Sequence, residues 1–272
     1  MQTVTSKDGT SIAYDQSGQG PALILVPGAS ATRADAARPA AALAPYFTVY
    51  AYDRRGRGAS GDTQPYAVER EVEDIAALAD AAGGPVYLFG HSSGAILALE
   101  ATRLLPDMMS RLAVYEPPFI IDDSRPPMEP GFVQRLKDYI AENRRGDAAA
   151  LFMAFVANSP EGMEGMRQSP MIPQLEPLAP SMVYDATICQ DVMTGDPAPL
   201  SKWQNTATPT LIMDGTVFMG RPEPHAFMRN GADTLASVMP NARRQTLDGQ
   251  DHGPADDVLV AALREFFLSP AQ

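Results

Sequence analysis

Short apolar runs rich in β-branched and aromatic residues alternate along this chain with longer segments of helical spacing. That alternation restricts it to an α/β fold: a mostly parallel central sheet flanked by helices on both faces. The runs, each read as a strand, are Ser11 to Tyr14, Ala22 to Val26, Phe47 to Tyr52, Val86 to Phe89, Leu112 to Tyr115, Thr210 to Met213 and Arg244 to Leu247. Helices are predicted over Arg33 to Ala44, Ala67 to Ala82, Ser93 to Leu105, Pro224 to Val238 and Pro254 to Leu268. A length of 272 residues, 45% hydrophobic and 20% charged, allows a sizeable buried core.

The rhythm stops from Pro117 to about Thr206, where helical patterns such as Phe132 to Asn143 and Ala148 to Ala157 occur without a convincing strand. The expected organisation is a core of residues 1–116 and 207–272 carrying a helical lid over 117–206. Proline-rich patches at Pro117-Pro118, Pro126-Pro127 and Pro197-Ala198-Pro199 punctuate the insertion. It holds seven of the 14 methionines: Met128, Met153, Met163, Met166, Met171, Met182 and Met193. Any one of them is more simply a core filler. As a cluster they suit a pocket that adapts to varied apolar surfaces.

The charge of −12, with no basic run to offset it, repels phosphate backbones and anionic lipid, so neither nucleic acid nor membrane is an expected partner. Its simplest role is a solubilising surface. Nothing in the sequence opposes a homodimer. Cys189 stands alone, which excludes an internal disulfide and suits a small buried hydrophobe. Three histidines and one cysteine, scattered as they are, do not make a usual metal-ligand set, and no cofactor motif is present. Without a signal-like N-terminus or an apolar run of roughly 18 residues, the expected location is cytoplasmic.

The strongest chemical signal is Gly90-His91-Ser92-Ser93-Gly94, directly after the run Val86 to Phe89 and directly before a helix. Five-residue patterns recur by chance. The strand before and the helix after make this one the context of a nucleophile elbow, a sharp turn that lifts Ser92 above the sheet. Side chains at the two glycines would collide with neighbouring backbone. The helix start offers the N–H of Ser93 to an oxyanion. Late in the chain, Leu247-Asp248-Gly249-Gln250-Asp251-His252-Gly253 precedes an amphipathic helix and places His252 where a general base would stand. His91 lies inside the elbow with its ring expected to point away from Ser92, and His225 has no strand-end placement.

Together these patterns resemble the serine branch of the α/β-hydrolase fold superfamily over nearly the whole chain outside the insertion. The resemblance implies an acyl-transfer enzyme with Ser92 as nucleophile and His252 as base. Leu23 to Ala29 is similar to the family's third strand and oxyanion loop, which implies Ala29 as second oxyanion donor beside Ser93. Pro27 stands where the family usually has His, but a backbone donor at Ala29 survives that departure. Tyr52-Asp53-Arg54-Arg55-Gly56-Arg57-Gly58 is similar to the turn after the family's fourth strand, with Asp53 and Arg55 read as structural.

The acid of the triad is less regular. The family's usual Asp after the seventh strand is missing, since Met213-Asp214-Gly215 continues as Thr216-Val217-Phe218-Met219. Two alternatives remain: Asp214 itself, and Glu116 at the end of Leu112 to Tyr115. Glu116 follows Ser92 by one helix and one returning strand, so both would emerge at the same edge of a parallel sheet, and it is the favoured choice. Its competing role is to cap backbone amides around Pro117-Pro118. Certain haloalkane dehalogenases and the zearalenone-type lactonases place the acid there. A local similarity to the lactonases, in Ser92-Ser93-Gly94-Ala95 and Glu116 before Pro117, is too short to carry over a substrate. Dehalogenase chemistry needs a carboxylate where this chain has Ser92. The expected activity is hydrolysis of an ester or lactone of an apolar small molecule. A cofactor-free perhydrolase or oxygenase, or a binding protein with a degraded triad, are the readings from other classes.

Overall fold

In the computed structural model, which describes residues 1–159, 161–217 and 226–270, the expected strands form one sheet. They are β1 (Gln2–Thr5), β2 (Ser11–Ser17), β3 (Ala22–Val26), β4 (Thr48–Tyr52), β5 (Val86–His91), β6 (Met109–Tyr115), β7 (Thr210–Gly215) and β8 (Ala242–Leu247), in the order β1-β2-β4-β3-β5-β6-β7-β8. β1 and β2 are antiparallel to their neighbours and the rest run parallel. β1 was not expected from the sequence. It is an edge strand with only Val4 partly covered, so it carries no apolar run to reveal it.

Burial on both faces follows from the two-residue period of the strands. Ile24 and Val26 of β3 face one core with α2 (Val68–Ala81) and α3 (Ser93–Leu104). Leu23 and Leu25 face the other, with α1 (Ala37–Leu43) and α10 (Asp256–Leu268). The helix expected from Arg33 starts only at Ala37. Ahead of it, Asp35 accepts bonds from the N–H and hydroxyl of Thr32 at 2.8 and 2.9 Å, holding a turn in place of the first helical turn. The helix expected over Pro224 to Val238 is α9 (Ala226–Val238) where described; Pro224 and His225, with Phe218 and Met219, lie outside the described residues.

Between β6 and β7 the chain forms α4 (Phe132–Ala141), α5 (Arg145–Ala157), α6 (Gly162–Arg167), α7 (Ile172–Leu175) and α8 (Ala179–Cys189), with a third apolar cluster of their own around Leu136, Phe152 and Met182. Among the described residues no helix is long and apolar enough to cross a membrane.

The strand order fixes where chemistry can occur. β3 pairs with β4 on one side and β5 on the other, a reversal of winding that opens a crevice at the carboxyl ends of the strands. Val26 is level with Gly90, His91 with Tyr115, and Tyr115 with Met213. The residues that follow β3, β5, β6 and β7 therefore meet at one edge.

Candidate active site

At that edge the β5-to-α3 turn gives Ser92 φ 55° and ψ −127°, a left-handed backbone that costs a non-glycine residue energy. The turn fits only because its flanks are bare. A Cβ on Gly90 would lie 2.6 Å from the Gly94 carbonyl oxygen, and one on Gly94 would lie 2.4 Å from that of Val26. Ser92 N–H donates to the Tyr115 carbonyl at 3.0 Å, tying the elbow to the end of β6. Ser93 opens α3, so its N–H has no intrahelical acceptor. The N–H of Ala29, after β3, likewise has no acceptor among the described residues.

Glu116, next after β6, is also left-handed at φ 48° and is 3% exposed. Its Oε2 lies 2.5 Å from Nδ1 of His252, and its Oε1 accepts from Gly215 N–H at 2.9 Å. Asp214 points elsewhere. Its Oδ1 accepts from Arg244 Nη1 at 3.0 Å and from the Thr246 hydroxyl at 2.8 Å, which fixes it to β8. Ser92 and His252 line one cavity of about 310 Å³ without a direct hydrogen bond between their side chains. Such contacts commonly tighten only when substrate is bound.

The cavity wall is largely apolar. Met128, Met153, Met171 and Met193, from the stretch between β6 and β7, reach it, with Phe152, Phe155 and Met228, whereas Met182 is buried in the cluster around Leu136, against which Met163 and Met166 pack. Cys189 lines it too, its thiol pushed up by burial and so kept protonated. A second cavity of about 430 Å³ lies beyond His91, against α1 and α10, and includes neither Ser92 nor His252.

Residues 23–263 match the family described as the alpha/beta hydrolase family. The chain belongs to that family. A crystal structure of an alpha/beta hydrolase from Sphaerobacter thermophilus is 48% identical, covers 98% of this chain and 100% of that one, and superposes with a TM-score of 0.86. An uncharacterized hydrolase of Bacillus subtilis, YraK, is 34% identical over 113 residues, 40% of this chain and 42% of that protein. The N-formylmaleamate deformylase of Pseudomonas putida is 39% identical over 104 residues, 37% of this chain and 39% of its own. The matches to these two curated relatives thus span about two fifths of their length.

Three further groups support the site. His91, expected to point away from Ser92, lines the same cavity, and its Nε2 lies 2.7 Å from the carbonyl oxygen of His252. Burial and the neighbouring His252 push its ring down to about 3, so at neutral pH it is uncharged and Nε2 donates to that carbonyl. Asp251 accepts the His252 N–H at 2.6 Å, and Tyr115 donates its hydroxyl to the Asp251 carbonyl at 2.6 Å, so the loop bearing His252 is held at several points.

The third group joins α8 to the residues that follow β4 and β5. Asp185 of α8 accepts the Ser93 hydroxyl at 2.7 Å, Arg54 Nη1 at 2.8 Å, and Arg57 Nη2 through both oxygens at 2.8 and 2.7 Å. Arg57 in turn donates to the Gly28 carbonyl at 2.7 Å, and Arg54 makes a paired bond to Glu71 at 2.7 and 2.8 Å. One buried carboxylate is thereby linked to the residues on both sides of the elbow crevice, Gly28 and Ser93. Burial alone would raise the Asp185 carboxyl, but Arg57 and Arg54 outweigh it and hold it below the ordinary range. Asp53 and Arg55 lie outside the cavity: Asp53 accepts the N–H groups of Arg33 and Ala59, and Arg55 pairs with Asp74.

Removing the Asp185 charge strands Arg57, since Arg54 keeps Glu71. Asp185→Asn is therefore expected to lower unfolding stability by about 3–5 kcal/mol, the cost of breaking a buried ion pair from one side. Urea denaturation measures it; a loss below about 1 kcal/mol would mean that solvent screens the pair.

Proposed function

We propose that the protein is a serine hydrolase that cleaves a carboxylic ester or lactone of a largely apolar small molecule through an acyl-enzyme, and that the helices between β6 and β7 act as its lid. The observation that carries this reading is the 2.5 Å contact of Glu116 with the far nitrogen of His252, in a cavity that His252 shares with the strained Ser92. Neutral His252 takes the Ser92 hydroxyl proton through Nε2 as the serine oxygen attacks the carbonyl carbon. The N–H groups of Ala29 and Ser93 receive the oxyanion, and Glu116 balances the charge formed on His252. As the tetrahedral intermediate collapses, the proton passes from His252 to the departing alcohol oxygen. Water, deprotonated by His252, then attacks the acyl carbon, and the acid leaves as Ser92 regains its proton.

The methionine-rich wall supports an apolar preference. Along a series of 4-nitrophenyl esters from acetate to octanoate, kcat/KM is expected to rise by up to about 4-fold per methylene, the equivalent of roughly 0.8 kcal/mol each, until the cavity is filled. Stopped-assay spectrophotometry of released nitrophenol reads this directly. A series that is flat or falls from acetate removes the support for an apolar acyl pocket. Failure of the folded protein to turn over any ester or lactone contradicts the hydrolase reading itself.

A further inference from the structure

Among the described residues, two charged side chains of the cavity wall take no part in acyl transfer: Asp185, which is paired with Arg54 and Arg57, and Arg125. Arg125 follows β6 on the way to α4, lines the cavity with Ser92 and His252, and is 8% exposed. The other deeply buried arginines, Arg54, Arg55 and Arg57, are each matched with carboxylates. Arg125 has no carboxylate partner among the described residues. Its Nη2 donates to the Phe155 and Val156 carbonyls at the end of α5, and its guanidinium carbon lies 5.3 and 4.8 Å from the ring centres of Phe155 and Phe227.

Those contacts hold the group in place and use the partial negative charge of a helix end. Among the described residues Nε and Nη1 have no hydrogen-bond partner, and neither is among the fully buried atoms left without one. Asp185, the carboxylate that shares the cavity wall with Arg125, is committed to Arg54, Arg57 and Ser93; Asp122 is committed to Ser124 and Asn230, and the exposed Asp123 makes no ion pair with Arg125. Burying a cation without a counter-charge is costly, and a ligand that brings an anion removes the cost. Burial lowers the guanidinium to about 10, so it is still charged at neutral pH. The net −12 of the whole chain is screened over about 8 Å at physiological salt, whereas Arg125 acts at contact distance.

We propose that Arg125 binds a carboxylate of the substrate, so that the molecule cleaved at Ser92 is an amphiphile with an apolar body and an acid group. This rests on the serine-hydrolase reading and narrows its substrate class. The methionine and phenylalanine side chains take the body, and the open donors at Nε and Nη1 take the acid through charge-assisted hydrogen bonds.

The test compares esters matched in length that differ in one anionic group. On the acyl side, 4-nitrophenyl hydrogen adipate is set against 4-nitrophenyl hexanoate; on the alcohol side, 4-carboxyphenyl hexanoate against 4-carbamoylphenyl hexanoate. The expected result is a kcat/KM ratio of at least 10 in favour of the anion in one of the two pairs, carried mainly by KM. In Arg125→Met that ratio is expected to fall to about 1 or below. Should Arg125→Met fail to fold, Arg125→Lys decides, because a point cation that lacks the guanidinium's spread of donors should lower the ratio several-fold. A wild-type ratio near or below 1 in both pairs, or a ratio unchanged by substitution, overturns the proposal. If no ester is turned over, the hydrolase reading fails separately, and calorimetric titration with hexanoate and hexan-1-ol still tests Arg125. Tighter binding of hexanoate that disappears in the Arg125 variant supports the anion site, and equal binding of the two overturns it.

Discussion

Ser92→Ala is expected to lower kcat for 4-nitrophenyl esters by about 10⁴-fold or more while leaving the unfolding transition in place. The size follows from what the hydroxyl does. It is the atom that forms the acyl bond, and no other hydroxyl or thiol takes its position at the elbow. Cys189 lines the cavity, but burial keeps its thiol protonated and poorly nucleophilic. Folding should be indifferent, since the Ser92 side chain makes no hydrogen bond to His252 that a methyl group would break. Relief of the left-handed φ is not available to alanine either, so strain at the turn stays as it is. A loss of only a few fold in a folded variant would show that catalysis runs through another group.

The second large effect is expected at the acid. Glu116→Gln should reduce kcat by about 10²–10⁴-fold, and Asp214→Asn by far less. An amide can still accept or donate a hydrogen bond at His252 Nδ1, but it does not balance the positive charge that His252 gains as it takes the serine proton, in a pocket where Glu116 is 3% exposed. Asp214 is committed to Arg244 and Thr246, so its loss should appear in stability more than in turnover. Steady-state kinetics on both folded variants separates the two. A larger kcat loss in Asp214→Asn returns the acid to the seventh strand, and small equal losses mean that another group orients His252.

These expectations show how unevenly the molecule can be read from its residues. The alternating strands and helices were legible because each interior strand is buried on both faces and therefore carries an apolar run, as Leu23 to Val26 does. The glycines flanking Ser92 were legible because a tight turn leaves a local mark. β1 was not, since an exposed edge strand needs no apolar residues. The delay of α1 to Ala37 was missed because residues 32–37 close in three-residue turns, with the N–H groups of Asp35, Ala36 and Ala37 bonded to the carbonyls of Thr32, Arg33 and Ala34, a difference in backbone bonding that apolar spacing does not record.

Groups that act through distant partners were the least visible. His91 reads as one residue of a turn until the fold brings His252 against it, 161 positions later. Asp185 is one acid on an otherwise buried helix, and nothing near it in sequence signals that Arg54 and Arg57, about 130 positions earlier, will close on it. Three arginines in four residues, Arg54, Arg55 and Arg57, were the available hint, because a turn that rich in cations beside a buried sheet edge needs acids from elsewhere. Arg125 offered no hint at all. Its meaning comes from the lack, among the described residues, of a carboxylate paired with it.

The most direct measurement of the central claim is intact-mass analysis after incubation with a fluorophosphonate probe, which reacts with a serine only when a base and an oxyanion site activate it. The account predicts a single adduct on the folded protein, mapped to Ser92 by peptide sequencing, absent in Ser92→Ala and slowed in Glu116→Gln. A folded wild-type protein that takes up no probe, or takes it up at a residue other than Ser92, would contradict it.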